Sequence, residues 1–600
     1  MTLDASNLHK ADRSHSDPKL LGVFPMAILA LLVGVIAGLG AVVFRALIGF
    51  FHNLLFLGEL SFHYNANVHT AASPWGVWVI GVPVLGAIGV AYLVKTFAPE
   101  AKGHGVPEVM DAIYYQKGRI RPVVAVVKSV ASALSIGSGG SVGREGPIIQ
   151  IGAAFGSTLG QIIKMSVQQR VILIAAGAGG GIAATFNTPI GGLVFAIELM
   201  LPAITAATLF PVAIATVTAT YVGRYFLGLQ PAFNIPELSV PAYHLLNPMV
   251  FLLFTVFGLM VGLLAALFVR SIYWFEDRFD ALPGNYYTRH TLGMFIVGVM
   301  IYLLFKNSGH YYVQGVGYAA IEDVLRGTLA SPTFLLLLLG AKLLATCLTL
   351  GSGASGGVFS PCLFLGATFG GAFGILAHGL APDIVTDPTV FAVAGMAAMI
   401  GGTTGAVVTA IVMLFEMTRD YNAILPIIFT VAIAYMVRKL ISYPSIYTLK
   451  LLRRGHVVPE GLQAAIASAH QAKDVMTSDF EIVSADDHFR HRAEQGKSMR
   501  DDAITIVQRN GNVIGVLHRM IFPAPIDTSE KTFGDLADSS YVSVVSSDSL
   551  IEVLNVMQQT DARVALVARN GRSNEFKDIV GVITDKQIAS LAKTSSSLLG

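Results

Sequence analysis

The chain has 600 residues, of which 54% are hydrophobic and only 13% are charged, and its formal net charge is +2. Soluble domains carry roughly 25% charged residues, so most of this chain is predicted to lie in a lipid bilayer. The small net charge gives no reason to expect a nucleic-acid partner. The two cysteines, Cys347 and Cys362, lie in apolar runs, which excludes a disulfide framework and a cysteine-based metal cluster.

Residues 1–19 are predicted to form a cytoplasmic tail, because basic residues immediately precede the first apolar run. A second basic group ends the membrane part, predicted to cover 20–456, and places its exit on the same side. The two groups are Lys10, Arg13 and Lys19, and Lys450, Arg453 and Arg454.

The first half of the membrane part, about 20–229, contains apolar segments separated by polar or irregular stretches. They are 20–51, 74–97, 122–136, 170–201 with a break at 185–189, and 203–227. Several fall short of the roughly 20 residues that a straight membrane span needs, so we expect tilted, paired or broken helices. Lys102–Gln116 is too polar to span, and Pro107 suits the first turn of a short helix.

A Gly- and Ser-rich stretch that also holds an Arg and a Glu interrupts the apolar sequence at Leu134–Phe155. Irregular backbone and charge at this depth are tolerated only where they are buried in protein or line a watery cavity. The pattern returns 214 residues later, because 128–155 aligns with 342–369. Paired interruptions in two halves of a membrane protein indicate the central site of a transporter.

Further matches in the same order extend the duplication to a whole half, about 244–440. Gly258 and Gly262 repeat Gly34 and Gly38, and Glu416 aligns with Glu198. The repeat by itself leaves open whether the two halves are parallel or inverted.

From about Gln471 the sequence has the charge content of a soluble protein, and two units are predicted, 471–526 and 533–595. The first has strands around a hairpin turn at Asn510-Gly511, an arrangement typical of a type I′ turn. The second has a strand, a helix and two further strands, followed by a helix from Asp585.

The motif GREGP, at Gly143–Pro147, combines glycines, a carboxylate and a predicted helix start at Pro147. A helix N-terminus carries partial positive charge and is a ready anion site. A carboxylate there can compete with the anion and leave when it is protonated, which makes Glu145 a candidate gate. The alternative is a purely structural, hydrogen-bonded glutamate.

Two further Gly/Pro helix starts, GVFSP at Gly357–Pro361 and GHGVP at Gly103–Pro107, have no carboxylate in the place of Glu145. Their backbone N–H groups can still face an anion, although GVFSP read alone fits a helix cap with a packed Phe equally well. The sites lack the acidic or carbonyl-rich character that a cation requires. This argues against a cation-coupled solute transporter, and no nucleophile or metal set points to a membrane-embedded enzyme.

GREGP, GVFSP, the KGHGVPE at Lys102–Glu108 and the SIYTL around Tyr447 resemble the motifs of the CLC family of chloride channels and chloride/proton exchangers, in the family's order and spacing. The resemblance covers the membrane portion. It implies an all-α polytopic membrane protein with two inverted-topology halves of broken and tilted helices. The soluble end resembles a cytosolic α/β pair of CBS (cystathionine-β-synthase) domains.

The resemblance implies a homodimer with one pore per subunit, chloride as the transported ion, and no cofactor. Glu145 matches the gating glutamate of the family. It also implies that chloride is held by the backbone amides of Val358 and Phe359, the hydroxyl of Tyr447 and the loop that leads into Pro107. The residues expected around the anion are Gly103, His104, Gly105, Val106, Pro107, Arg144, Gly146, Gly357, Val358, Phe359 and Tyr447.

Two departures from the family pattern bear on function. His104 replaces the usual serine of the loop, so an imidazole faces the anion or turns away and leaves the backbone to serve. Leu199 occupies the position where exchangers carry a glutamate on the proton route, and Glu198 matches the preceding carboxylate. Because leucine cannot relay a proton, these residues predict a passive, voltage-gated type of chloride channel, with a chloride/proton antiporter as the alternative.

In nucleotide-binding CBS domains an aspartate follows a Gly-apolar-apolar-Ser/Thr pattern. The second unit has Thr584 but Gln587 in place of the aspartate, and the first unit lacks both residues. These differences argue against adenine-nucleotide binding and favour structural packing at the dimer interface as the role of the pair. The protein is expected in a plasma or inner membrane, and the basic residues beside the first and last apolar runs predict that both termini are cytoplasmic.

Overall fold

The computed structural model describes residues 21–229, 233, 248–421, 423–458, 470–488, 504–517, 531–569, 571 and 575–588. The predicted tail at 1–19, with its basic residues, lies outside the described residues. The chain divides into two compact units, Met1–Lys450 and Leu451–Gly600.

The described part of the first half is built from eight α-helices. They are α1 (Val23–His52), α2 (Gly81–Phe97), α3 (Val106–Tyr114), α4 (Pro122–Gly137), α5 (Glu145–Ile162), α6 (Val167–Phe186), α7 (Pro189–Phe195) and α8 (Ala206–Leu227). The predicted break at 185–189 is confirmed, because Asn187 adopts a left-handed conformation between α6 and α7. A π-helical turn, Ala196–Met200, extends α7.

The second half repeats this order within the described residues and adds one helix. Its helices are α9 (Pro248–Ala281), α10 (Tyr286–Ser308), α11 (Tyr318–Leu325), α12 (Pro332–Gly351), α13 (Phe359–Leu380), α14 (Thr389–Thr404), α15 (Val407–Thr418), α16 (Ile424–Ile441) and α17 (Ile446–Arg453). Among the described residues, nine helical segments are long and apolar enough to cross a membrane. The expectation of an all-α polytopic membrane part is confirmed.

The three Gly/Pro motifs begin helices slightly earlier than the prolines alone predict. The helix α5 begins at Glu145 rather than at Pro147, and α13 begins at Phe359, two residues before Pro361. The first N–H groups of a helix have no acceptor within it, so proline is tolerated anywhere in the first turn. This places the Glu145 side chain on the first turn of its helix.

Glycines bring the central helices into backbone contact. A Cβ added at Gly152 would lie 2.1 Å from the carbonyl oxygen of Gly177, where α5 crosses α6. The second half repeats the crossing, with Gly366 of α13 against Gly395 of α14 at 2.3 Å. These helices form the centre of the unit: the most apolar windows of α6 and α13 are 89% and 78% buried, against 28% for α10.

The two halves are related by a local two-fold axis. The Glu198 carboxylate accepts hydrogen bonds from the backbone N–H groups of Val408 (3.0 Å) and Thr409 (2.8 Å) at the start of α15. Its counterpart Glu416 accepts from Ile190 (3.1 Å) and Gly191 (2.6 Å) at the start of α7. Each half therefore caps a helix of the other with the same residues, as a two-fold relation requires.

The C-terminal unit contains two three-stranded sheets of the same topology in the described residues. Their strands are β1 (Phe480–Ser484), β2 (Ile504–Arg509), β3 (Asn512–Leu517), β4 (Tyr541–Val545), β5 (Val564–Ala568) and β6 (Ile579–Thr584). In each sheet the first two strands are parallel and the last two antiparallel, with a register shift at 507/508 and at 567/568. The hairpin turn is confirmed by φ values of 52° at Asn510 and 83° at Gly511.

Each sheet is completed by the segment that precedes the other one. Thr477, ahead of β1, exchanges two 2.9 Å backbone hydrogen bonds with Val582 of β6. Asp538, ahead of β4, does the same with Val516 of β3. The two sheets also share an apolar core that joins β2 and β3 to β5 and β6. The α/β pair expected at the C-terminus is confirmed, and β1 is a strand that the sequence pattern did not reveal.

Candidate functional site

The starts of α3, α5 and α13 meet at Gly146. A Cβ added there would lie 2.1 Å from the carbonyl oxygen of His104 and 2.9 Å from the Cα atom of Gly357. A Cβ added at Gly105, whose φ is 86°, would lie 2.8 Å from the carbonyl oxygen of Gly146. The separation of these backbones leaves no room for any side chain, so all three motifs need their glycines.

Backbone hydrogen bonds hold the loops together. Gly143 and Gly357 donate to each other's carbonyls at 2.7 Å in both directions. The N–H of Gly103 donates to Ala354 at 2.9 Å, beside the loop that leads into α13.

Two buried lysines, one in each half, stabilise equivalent loops through hydrogen bonds to backbone carbonyls. The Lys128 ammonium donates to the carbonyls of Ala101 (2.9 Å) and Gly103 (2.7 Å). Its repeat partner Lys342 donates to Val313 (3.1 Å) and Gly315 (2.8 Å). Both side chains are fully buried. Their carbonyl partners lie just ahead of α3 and α11, so the lysines stabilise the irregular backbone there.

The carboxylate of Glu145 is fully buried and bound at the N-terminus of α13. Its Oε2 accepts from the backbone N–H of Ser360 at 3.2 Å, and its Oε1 accepts from the Ser360 hydroxyl at 2.6 Å. The Tyr318 hydroxyl also donates to Oε1. Three donors thus converge on one negatively charged group, at a helix end whose N–H groups favour an anion.

Tyr318 is surrounded by charge and aromatic rings. The Arg144 guanidinium lies over its ring, 5.0 Å from the centroid. The Phe233 ring meets it edge-on at 4.6 Å. The Nε of Arg144 is buried and has no hydrogen-bond partner within the described part of the chain.

His104 is buried beside this centre. Its Nδ1 has no hydrogen-bond partner among the described residues. Its ring stands edge-on to Tyr273 at 6.4 Å, and the Tyr273 hydroxyl donates to the carbonyl of Ile446 at the start of α17. Tyr447, the next residue, is buried and lies within electrostatic range of Glu145. Tyr273 thus connects the His104 loop to Ile446, the residue that precedes Tyr447.

Leu199 lies apart, half-buried in the π-helical turn after α7. The adjacent Glu198 is occupied by its contacts with α15, including a 2.7 Å hydrogen bond from the Thr409 hydroxyl. A carboxylate that caps a helix in this way is held in place by three donors.

The structure brings most of the predicted residues into one region and adds two that the sequence reasoning missed. Ser360 belongs to the GVFSP motif, and its hydroxyl was a visible signal. Tyr318 follows the Gly-x-Gly at Gly315–Gly317 that repeats the GHG of the first half. Its contact with Glu145 depends on how the two halves meet, which the sequence does not reveal.

Comparison with known proteins identifies the family to which the sequence motifs pointed. Residues 86–439 match the sequence profile of the family described as "Voltage gated chloride channel". The "H(+)/Cl(-) exchange transporter ClcA" of Vibrio parahaemolyticus serotype O3:K6 (strain RIMD 2210633) is 34% identical over 449 residues, which cover 72% of this chain and 90% of that protein. The chain belongs to the CLC family.

Two further relatives of this CLC protein carry different names. A crystal structure of "a slow cyanobacterial Cl-/H+ antiporter" superposes with a TM-score of 0.61 at 26% identity, covering 73% of this chain and 99% of that one. A "Putative chloride channel protein ClcB-like" of Ralstonia nicotianae (strain ATCC BAA-1114 / GMI1000) is 32% identical over 387 residues, 64% of this chain and 87% of that protein.

CLC proteins are channels or transporters, so the prediction that this chain is not an enzyme is confirmed. Residues 533–593 match the CBS domain profile. In that domain the side-chain oxygen of Gln587 accepts a 3.1 Å hydrogen bond from the backbone N–H of Thr584. The side chain of Gln587, at the position expected for a ribose-binding aspartate, is thus hydrogen-bonded within its own chain segment. The absence of adenine-nucleotide binding stays a prediction.

Proposed function

We propose that the protein exchanges chloride for protons across its membrane, with Glu145 as the gate. The observation that carries the proposal is the seat of the Glu145 carboxylate, bound by Ser360 and Tyr318 at the N-terminus of α13. Donors that bind a carboxylate also bind chloride, since both are anions that accept hydrogen bonds. A protonated Glu145 has lost its charge and can leave this seat, so one residue links proton binding to anion passage.

The exchange mode is supported by the relatives named as proton/chloride exchangers, and it corrects the emphasis of the sequence reasoning, which put the channel first. The remaining parts of the proposal follow the family: chloride as the ion, a homodimer with one pore per subunit, no cofactor, and cytoplasmic termini. The residues around Gly146, with His104 and Tyr447, form the anion path.

A passive chloride channel is the second candidate, and Leu199 favours it. At the position that carries the proton-route glutamate in exchangers, this chain presents a half-buried leucine that can neither bind nor release a proton. The two candidates share the Glu145 gate and differ only in whether protons cross with chloride.

Reconstitution into liposomes under combined chloride and pH gradients tests the proposal. An exchanger shows a reversal potential displaced from the chloride Nernst value and takes up protons against their gradient when chloride flows. The matched control, Glu145→Gln, should keep chloride flux and lose proton uptake. A wild-type reversal potential equal to the chloride Nernst value, without proton uptake, would establish the channel instead. Absence of chloride flux from a well-folded protein would overturn both candidates.

A further inference from the structure

Tyr318 contacts the Glu145 carboxylate, and no sequence motif predicts this contact. The Tyr318 side chain is almost fully buried, and its hydroxyl donates to Glu145 Oε1. Tyr318 also lines a cavity of about 30 Å³ together with Tyr64, His69, Thr70, Tyr312 and Gln314. A polar cavity of this size accommodates ordered water. Tyr318 therefore contacts the buried carboxylate and also borders a small polar cavity.

The ring of Tyr318 is held on two sides, so the direction of its hydroxyl is fixed by packing. The Arg144 guanidinium lies 5.0 Å from the ring centroid, and Phe233 meets the ring edge-on at 4.6 Å. A hydroxyl on a ring that cannot turn away is a preorganised donor. The positive charge of Arg144 is attracted to the face of the ring in a cation–π contact, which helps to hold the ring in place.

We propose that Tyr318 is the positioning residue of the gate: its hydroxyl holds the charged Glu145 carboxylate on the N-terminus of α13 and so sets the pH at which the gate opens. This inference rests on the proposed function of Glu145. A hydrogen bond to a charged acceptor stabilises that charged form relative to the protonated one. Without the hydroxyl, less acid is needed to release Glu145.

Other charged or titratable groups also face Glu145 and remain unchanged in the test. Lys342 on α12, Cys362 on α13 and Tyr447 on α17 are within electrostatic range of the carboxylate. Arg144 precedes it in the chain, and Arg45 of α1 lies within electrostatic range of Arg144 and Tyr318. These charged groups stay in place when the Tyr318 hydroxyl is removed, while the Ser360 hydroxyl loses a 3.2 Å hydrogen bond that it donates to that oxygen.

The test is the pH dependence of chloride flux from liposomes for Tyr318→Phe. Phenylalanine keeps the ring, its contact with Arg144 and its packing against Phe233. The loss of one charge-assisted hydrogen bond should move the pH of half-maximal flux upward by about one to two pH units. An unchanged midpoint would overturn the inference while leaving the Glu145 gate in place.

Two comparisons separate positioning from a general structural effect. Tyr312→Phe removes a hydroxyl from the same cavity, where the Tyr312 ring packs edge-on against His69 and Phe334, and should leave the midpoint unchanged. An equal shift in Tyr312→Phe would also overturn the inference. When Glu145 is already replaced by Gln, adding Tyr318→Phe should leave the pH profile of chloride flux unchanged. A change in that profile would show that Tyr318 acts on another group.

A second substitution keeps the test decisive if Tyr318→Phe does not yield a stable protein. Replacing Tyr318 alone with 3-fluorotyrosine retains the shape of the side chain and makes its hydroxyl the stronger donor. The midpoint should then move to lower pH. A midpoint that stays or rises would contradict the inference. If wild-type flux is absent or independent of pH, the proposed function fails rather than the role of Tyr318.

Discussion

Gly143 and Gly357 exchange two backbone hydrogen bonds, each of 2.7 Å, and they are equivalent residues of the two halves, 214 positions apart. The bridge between them is antiparallel. Equivalent residues that pair antiparallel with one another must lie on either side of a local two-fold axis. The axis of the repeat therefore passes between the GREGP and GVFSP loops, next to the seat of Glu145.

The symmetry places two similar helix starts side by side but gives them different side chains. At the position of Glu145 the second half has Phe359, and at the position of Gly146 it has Ser360. The first half thus supplies the carboxylate, and the second half supplies the donors that bind it. A gate of this kind needs both halves, because neither contains an acceptor and its donors together.

Glu145→Gln should remove the dependence of chloride flux on pH and leave permeation in place. The neutral amide has no negative charge with which to compete for the anion seat, and it does not titrate. The measurement is the initial rate of chloride efflux from liposomes between about pH 4 and 8, a window around the ordinary range of a glutamate. Flux that keeps the wild-type pH profile would remove Glu145 from the gate.

Gly146→Ala should abolish most chloride flux and destabilise the protein. The new methyl group would lie 2.1 Å from the His104 carbonyl, so the three loops must separate. Overpacking of this kind costs roughly 1–3 kcal/mol. Gly340→Ala, in the middle of α12 with no heavy atom within 4 Å of the added Cβ, is the matched control. It should keep full flux and gain up to about 1 kcal/mol of helix stability.

Flux and the thermal unfolding midpoint, measured on the same detergent-purified preparations, distinguish the two glycine variants. Wild-type flux from Gly146→Ala would show that the loops tolerate separation and that their close contact is not needed for permeation.

His104→Ser should change the ranking of chloride, bromide and nitrate more than it changes stability. Serine replaces a buried imidazole, whose Nδ1 has no partner in the described residues, with a small hydroxyl donor. His290→Ser is the control for loss of a buried histidine, since His290 hydrogen-bonds Ser352 at 3.0 Å in the second half. It should lower stability and leave the ranking unchanged. Identical permeability ratios in His104→Ser and wild type would place the ring away from the anion path.

Leu199→Glu should raise the number of protons that move per chloride. The substitution supplies a titratable group at the position that carries one in exchangers, on a half-buried turn. Leu199→Gln, which has the same length and no charge to titrate, is the control. Proton uptake driven by a chloride gradient, recorded with a pH electrode beside chloride release, gives the ratio. Equal ratios in the Glu and Gln variants would mean that protons take another route.

The sequence alone established the membrane class, the internal repeat, the three Gly/Pro helix starts and Glu145 as the central carboxylate. These follow from local chemistry: apolar runs, glycines and prolines that interrupt them, and a charge that bilayer depth makes costly. The repeat was visible because 128–155 and 342–369 keep the same spacing of small residues.

The tertiary structure decided the relations between segments far apart in the chain. The Gly143–Gly357 bridge and the reciprocal caps of Glu198 and Glu416 relate the two halves by a two-fold axis, which the sequence repeat alone did not reveal. The tertiary structure also brought Tyr318 to Glu145, across 173 positions of sequence. A side-chain contact at such a separation depends on how whole helices pack, and no local pattern of residues records it. For this reason the gate residue was predictable, whereas the hydroxyls that hold it were not.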